Sequence, residues 1–148
     1  MEASIASLSR YQISAFFQKH SSPTQQECDA EAKRITGTSV RSTALQGGTS
    51  YTVVGGAVIV QFRAADYALD LQLLECAEQA YVGYTPDHES VGKLGELHIY
   101  TMNDISGVSM YLARVQLKQN DCYLMQQTLQ DYARFGDTSI CCTSQRKL

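Results

Sequence analysis

The chain has 148 residues, is 44% hydrophobic and 18% charged, and carries a formal net charge of −3 with only ten Gly and two Pro. These values suit a single folded domain with a core and exclude a collagen-like or disordered chain. They also argue against nucleic acid as a partner, because 12 basic residues face 15 acidic ones and no basic run interleaves with aromatics.

No membrane span is expected, since the longest apolar run, Val53 to Val60, is broken by Gly55 and Gly56 and falls short of about 20 residues. The opening Met1-Glu2-Ala3-Ser4 has no basic region leading into an apolar core, so the expected compartment is the cytosol. Small molecules and other proteins are left as partners. The five cysteines contain no Cys-x-x-Cys pair and read as buried thiols, with Cys141 and Cys142 in a tail; no metal site is expected.

Along the chain, Leu8, Tyr11, Ala15 and Phe16 recur at helical spacing, with Ser7 or Ser9 as the cap. Ser21-Ser22-Pro23 ends that helix. Thr24-Gln25-Gln26-Glu27 is a capping box, predicting a second helix to about Thr36 with Cys28, Ala32 and Ile35 inward and Gly37 as its stop. A meander follows: Ser39 to Leu45, a turn over Gln46 to Ser50, Tyr51 to Val54, the hairpin signal Gly55-Gly56, and Ala57 to Arg63. Asp66 is the predicted cap of a third helix with Leu69, Leu73, Ala77 and Ala80 on its stripe and Gly83 at its end. Ser90 to Lys93 and Glu96 to Met102 read as two more strands, and 103–107 as a polar link. Val108 to Gln119 and Asp121 to Phe135 read as helices, the second ending at Gly136. The expected organisation is one α+β domain over 1–136 and a disordered tail over 137–148.

The order helix, helix, three strands, helix, two strands and polar link carries specific residues at specific places. These are Gln46-Gly47-Gly48-Thr49-Ser50-Tyr51-Thr52, Val60-Gln61-Phe62-Arg63, Leu69-Asp70, Gly95 to Met102 and Gly107-Val108. In this order they resemble the N-terminal lobe of fungal members of the aminoglycoside phosphotransferase-like, protein-kinase-like family, over Leu8 to about Phe135. The resemblance implies a five-stranded antiparallel sheet of kinase-like N-lobe type, and a setting in fungal secondary metabolism. It also implies that Gly47, Gly48, Thr49 and Ser50 face phosphate oxygens, where glycine leaves backbone N–H groups unobstructed and hydroxyls add donors.

The same resemblance makes Arg63 the strand-three cation, with Asp70 as its partner on the following helix, and makes Met102 and Asp104 part of an adenine-holding link. The expected ligand is anionic, weakly bound ATP or another phosphate-bearing molecule, in a cleft bounded by Gly47-Gly48, Arg63 and the Met102 to Ile105 link. His98 is expected to be a half-buried sheet residue, and His20 and His88 to be solvated in loops.

Phosphoryl transfer needs an Asp followed five residues later by Asn, and a further Asp for magnesium. No Asp of this chain has Asn at that spacing, and neither His-x-Asp nor Asp-Phe-Gly occurs. The expectation is therefore a non-phosphorylating accessory protein, an N-lobe without its catalytic lobe, that binds a small molecule or a partner and is suited to self-association. Two alternatives stand beside it: a truncated product of an active small-molecule kinase, and an N-lobe turned to isomerisation or cyclisation with His98, Tyr100, Asp104 and Arg63 as acid and base groups.

Overall fold

The computed structural model describes residues 2–105 and 107–144, with side chains over 4–105 and 107–134. Two helices, α1 (Glu2–Lys19) and α2 (Gln25–Thr36), precede the strands β1 (Arg41–Ser42), β2 (Ser50–Gly55) and β3 (Val58–Arg63). A 3-10 turn (Ala65–Tyr67) and α3 (Leu71–Ala80) then lead to β4 (His88–Leu94) and β5 (Leu97–Asn103), followed by α4 (Met110–Leu117) and α5 (Tyr123–Ser144). The five strands form one antiparallel sheet in the order β1-β2-β3-β5-β4. This is the expected α+β layout, with helices before and after one sheet. Among the described residues no helix is long and apolar enough to cross a membrane.

Alternation along the strands decides which face is sealed. Tyr51, Val53, Val60, Phe62, Leu97 and Ile99 project to one side and are buried against Phe16 of α1 and Cys28 and Ala32 of α2. Each of the larger aliphatic or aromatic side chains contributes roughly 1.5–3 kcal/mol by leaving water. Aromatic edges lock the layer: the Phe17 ring meets Phe16 at 5.2 Å and Tyr51 at 5.0 Å, both edge-on.

Local chemistry sets the ends of α2. The Glu27 amide donates to Thr24 Oγ1 at 3.3 Å, the Thr24 amide donates to Glu27 Oε2 at 2.8 Å, and Gly37 adopts the left-handed φ of 69° just beyond the helix. The capping box and the glycine stop therefore stand where the sequence puts them.

Several local expectations need correction. Asp66 lies in the 3-10 turn, and α3 is capped instead by Asp70, whose carboxylate accepts from the Leu73 amide at 3.0 Å. Leu73 consequently faces solvent at 67% exposure, while Leu74 and Ala77 turn inward. Neither Ser7 nor Ser9 caps α1, which begins at Glu2; Ser9 instead donates from its hydroxyl to Ala44 O at 2.7 Å. Leu8 and Tyr11 are exposed, the buried stripe being carried by Ile13, Phe16 and Phe17. The helix predicted from Asp121 starts at Tyr123, because Asn120, Asp121 and Cys122 hold positive φ values of 49°, 53° and 61°. It then runs through Gly136 to Ser144, so 137–144 is helical backbone; 145–148 lies outside the described residues. One glycine inside a helix costs about 1 kcal/mol and does not by itself end it.

Candidate functional site

The face of the sheet turned away from α1 and α2 carries polar and basic side chains. Register sorts them into rows across the strands, since directly opposite residues share a face with Cβ atoms roughly 4.5–5.5 Å apart. Ser50 of β2 lies opposite Arg63 of β3, Arg63 opposite His98 of β5, and His98 opposite Lys93 of β4. The next row on this face is Thr52, Gln61, Tyr100 and Ser90. At the far end, Ile59 lies opposite Met102, and Met102 opposite His88.

A chain of hydrogen bonds runs along this face. The Gln46 amide group holds the Thr52 backbone from both sides, accepting from Thr52 N–H at 3.1 Å and donating to Thr52 O at 2.6 Å. Gln61 Nε2 donates to Thr52 Oγ1 at 3.1 Å, Arg63 Nε donates to Gln61 Oε1 at 2.6 Å, and Arg63 Nη1 donates to Tyr67 O at 3.1 Å. The segment after β3 is strapped down a second time, because the Leu69 amide donates to the hydroxyl of buried Tyr100 at 3.1 Å. The Tyr100 ring lies nearly parallel to His98, with centroids 6.3 Å apart. Partial burial draws the Arg63 guanidinium below its ordinary value, partly offset by Tyr100.

Of the sequence-predicted residues, Ser50, Arg63 and Met102 share this face, at two ends of it. Gly47, Gly48, Thr49 and Ser50 lead into β2 beside Arg63. Gly47 and Gly48 are exposed, yet neither has a left-handed φ; a Cβ on Gly48 would stand 3.1 Å from Gln12 Oε1 of α1, so the loop lies against that helix. Ser50 is buried at 5% exposure. Met102 lies four residues along β3 from Arg63, roughly 14 Å at about 3.4 Å per residue. Asp104 follows β5, its amide donating to Ala57 O at 2.9 Å. Gly47-Gly48, Arg63 and Met102 to Ile105 are thus not gathered closely: Gly48 lies against α1, while Arg63 and Met102 stand at opposite ends of the face turned away from it.

Arg63 and Asp70 form no ion pair among the described residues: Asp70 is spent on the Leu73 amide, and Arg63 on Gln61 and Tyr67. Of the histidines, His98 is half-buried in β5 as expected. His88 opens β4 with its side chain 12% exposed, held by Glu78 of α3; the Glu78 carboxylate accepts the His88 amide at 2.9 Å and lies 3.3 Å from Nδ1. His20 is half-buried with its ring 5.0 Å from Phe16. Cys28 is buried as expected, whereas Cys76 is exposed.

In the sequence, Gln46 and Gln61 stand out only as members of motifs, and Lys93 only as the end of a strand, none with a role in the site. The alternation Gln61-Phe62-Arg63 and His98-Ile99-Tyr100 was the available signal, since every second residue there is polar or half-polar. Among the described residues no group of three acidic, His or Cys side chains could hold a metal ion. Compared with family models, with curated proteins and with solved structures, the chain finds no match.

Proposed function

We propose that the chain is a cytosolic protein of kinase-like N-lobe type, related to the aminoglycoside phosphotransferase-like family, that binds a phosphate-bearing small molecule and does not transfer phosphate by itself. The observation that carries this reading is the common face of Ser50, Arg63 and Met102, with the Gly47-Gly48 loop leading into the first and the exit of β5 at the other end. The span between the ends, roughly 14 Å, suits an extended nucleotide with its phosphates at Arg63 and its base at Met102. The strand order β1-β2-β3-β5-β4, with α3 between β3 and β4, supports the same reading. Catalysis is not part of it, because no Asp here has the Asn partner that positions metal and nucleophile.

Titration of the labelled protein with ADP, followed by amide shifts, tests this. Shifts at both Gly48 and Met102 are expected, with weak affinity because the face is open to water on one side. Shifts confined to α4 and α5 would refute it.

That outcome would favour a second reading, a protein-docking role in which self-association has a place. Tyr111 and Val115 of α4 and Leu129 and Tyr132 of α5 are 52%, 46%, 55% and 73% exposed, an apolar surface of the kind that partners cover. Mass-resolved size exclusion reads self-association directly.

A further inference from the structure

Arg63, His98 and Lys93 stand directly opposite one another on three adjacent strands, β3, β5 and β4. Arg63 and Lys93 thus flank His98 as two cations on one face of the sheet. None of the three forms an ion pair among the described residues. Arg63 is held rigidly by two neutral acceptors, Gln61 Oε1 and Tyr67 O, so its direction is fixed while its charge is left uncompensated. Its Nη2 has no hydrogen-bond partner among the described residues. His98 is half-buried and oriented by the Tyr100 ring, and Lys93 is exposed and free to fold over the row.

Asp66 and Glu96 line a hollow of about 530 Å³ together with His20, Ala64 and Lys93. Arg63 and His98 do not line it, so Lys93 stands between that hollow and the row.

We infer that the row Arg63, His98 and Lys93 is an anion-binding site for a phosphoryl group, lying over His98 with the guanidinium on one flank and the ammonium on the other. Adjacent strands stand about 4.8 Å apart, so the two outer residues are separated by roughly 10 Å at the backbone and reach inward from either side. Two fixed positive charges with an imidazole between them match the charge of −1.5 to −2 on a phosphate monoester or the end of a diphosphate. The assignment deepens the proposed function and rests on it in placing phosphate at the Arg63 end; what it adds is His98 and Lys93 as the residues that hold it.

The test uses the full chain and two probes, inorganic pyrophosphate and ADP, each titrated against the wild type and Lys93→Met, with amide shifts and calorimetry as readouts. The Lys93 side chain is exposed and makes no hydrogen bond or ion pair among the described residues, so its replacement leaves the fold intact, which the amide spectrum checks directly. Pyrophosphate is expected to shift the amides of Arg63, His98 and Lys93, and Lys93→Met to weaken it about tenfold, with His98→Gln weakening it by a smaller factor. Raised salt should weaken wild-type binding more than that of the variant. Equal pyrophosphate affinity in wild type and Lys93→Met overturns the inference; if ADP still shifts Gly48 and Met102, the proposed function survives that failure. Lys93-dependent pyrophosphate binding with no ADP shift at Met102 upholds the row and refutes the nucleotide reading. Absence of any response to either probe overturns both.

Discussion

Raising the pH above 9 should destabilise this fold through one buried thiol. Cys28 is inaccessible between α2 and the sheet, and burial, helped by the neighbouring Asp29 and Glu27 carboxylates, pushes its pKa up from 9.0 to about 12. The unfolded chain therefore releases this proton near pH 9 while the native chain keeps it until about pH 12. Between those values the native state binds more protons, so the stability, complete below pH 9, falls as pH rises, by up to about 1.4 kcal/mol per pH unit. At pH 10.5 the loss should be about 2 kcal/mol, a substantial part of the stability of a domain this size. Tyr51 acts in the same direction above pH 10, because burial first, and the carboxylate of Asp29 second, hold its phenol protonated. Urea denaturation followed by circular dichroism at half-unit pH steps gives the measurement. Cys28→Ala should start lower, through lost packing, yet show a flat profile from pH 8.5 to 10 where the wild type declines. Parallel profiles for the two proteins would refute the reasoning.

Removing the capping hydroxyl in Thr24→Ala should cost about 1 kcal/mol, seen as a thermal midpoint lower by roughly 3 °C. Gly55→Ala should cost about 1–3 kcal/mol in chemical denaturation, because its Cβ would stand 2.6 Å from Thr36 Oγ1; adding Thr36→Ala should recover part of that loss. Tyr100→Phe removes the hydroxyl that accepts from the Leu69 amide, and hydrogen exchange at Leu69 should quicken about tenfold while exchange at Val60 stays unchanged. ATP with magnesium should not be turned over by the purified chain; ATP consumption that disappears in Arg63→Gln would contradict the proposed function.

The helix boundaries that carry a local chemical signature were readable without coordinates. Thr24 with Glu27 and the Gly37 stop need only neighbouring residues; the hairpin expected at Gly55-Gly56 turns one residue later, at Gly56-Ala57, because Gly55 pairs with Val58 and Gly56 takes the φ of 60°. The second and third strands of the meander were readable because half their residues are apolar at period two, whereas the first, expected over Ser39 to Leu45, is only Arg41–Ser42, both exposed. What sequence could not supply was competition between equivalent signals. Asp66 and Asp70 are equally good caps, and Asp70 is the one used in a fold that ties Tyr67 O to Arg63 and the Leu69 amide to Tyr100, contacts made across the chain. His88 looked like a loop residue because its partner, Glu78, stands ten positions earlier on another element. For the candidate site, the presence of Arg63 and Ser50 on one face was legible from the alternation. Their alignment with His98 and Lys93 was not, since register between β3, β5 and β4 depends on turns and on the irregularity between Ser90 and Gly92.

The grip of Gln46 on Thr52 has a consequence for solubility. β1 has only two residues and the Thr43 amide beyond it still donates to Thr52 O at 3.2 Å, so the outer margin of β2 loses its backbone partner just past Thr52, and such a margin recruits strands from other molecules. The Gln46 side-chain amide presents to Thr52 one donor and one acceptor, the pair that a neighbouring backbone would offer, and so occupies the position where a foreign strand would begin to add. At the opposite margin the irregularity at Gly92 breaks the flat run of β4. One glutamine and one kink thus stand in for the longer edge protection that a two-residue strand cannot give, and Gln46→Ala should leave a folded protein that aggregates at lower concentration than the wild type.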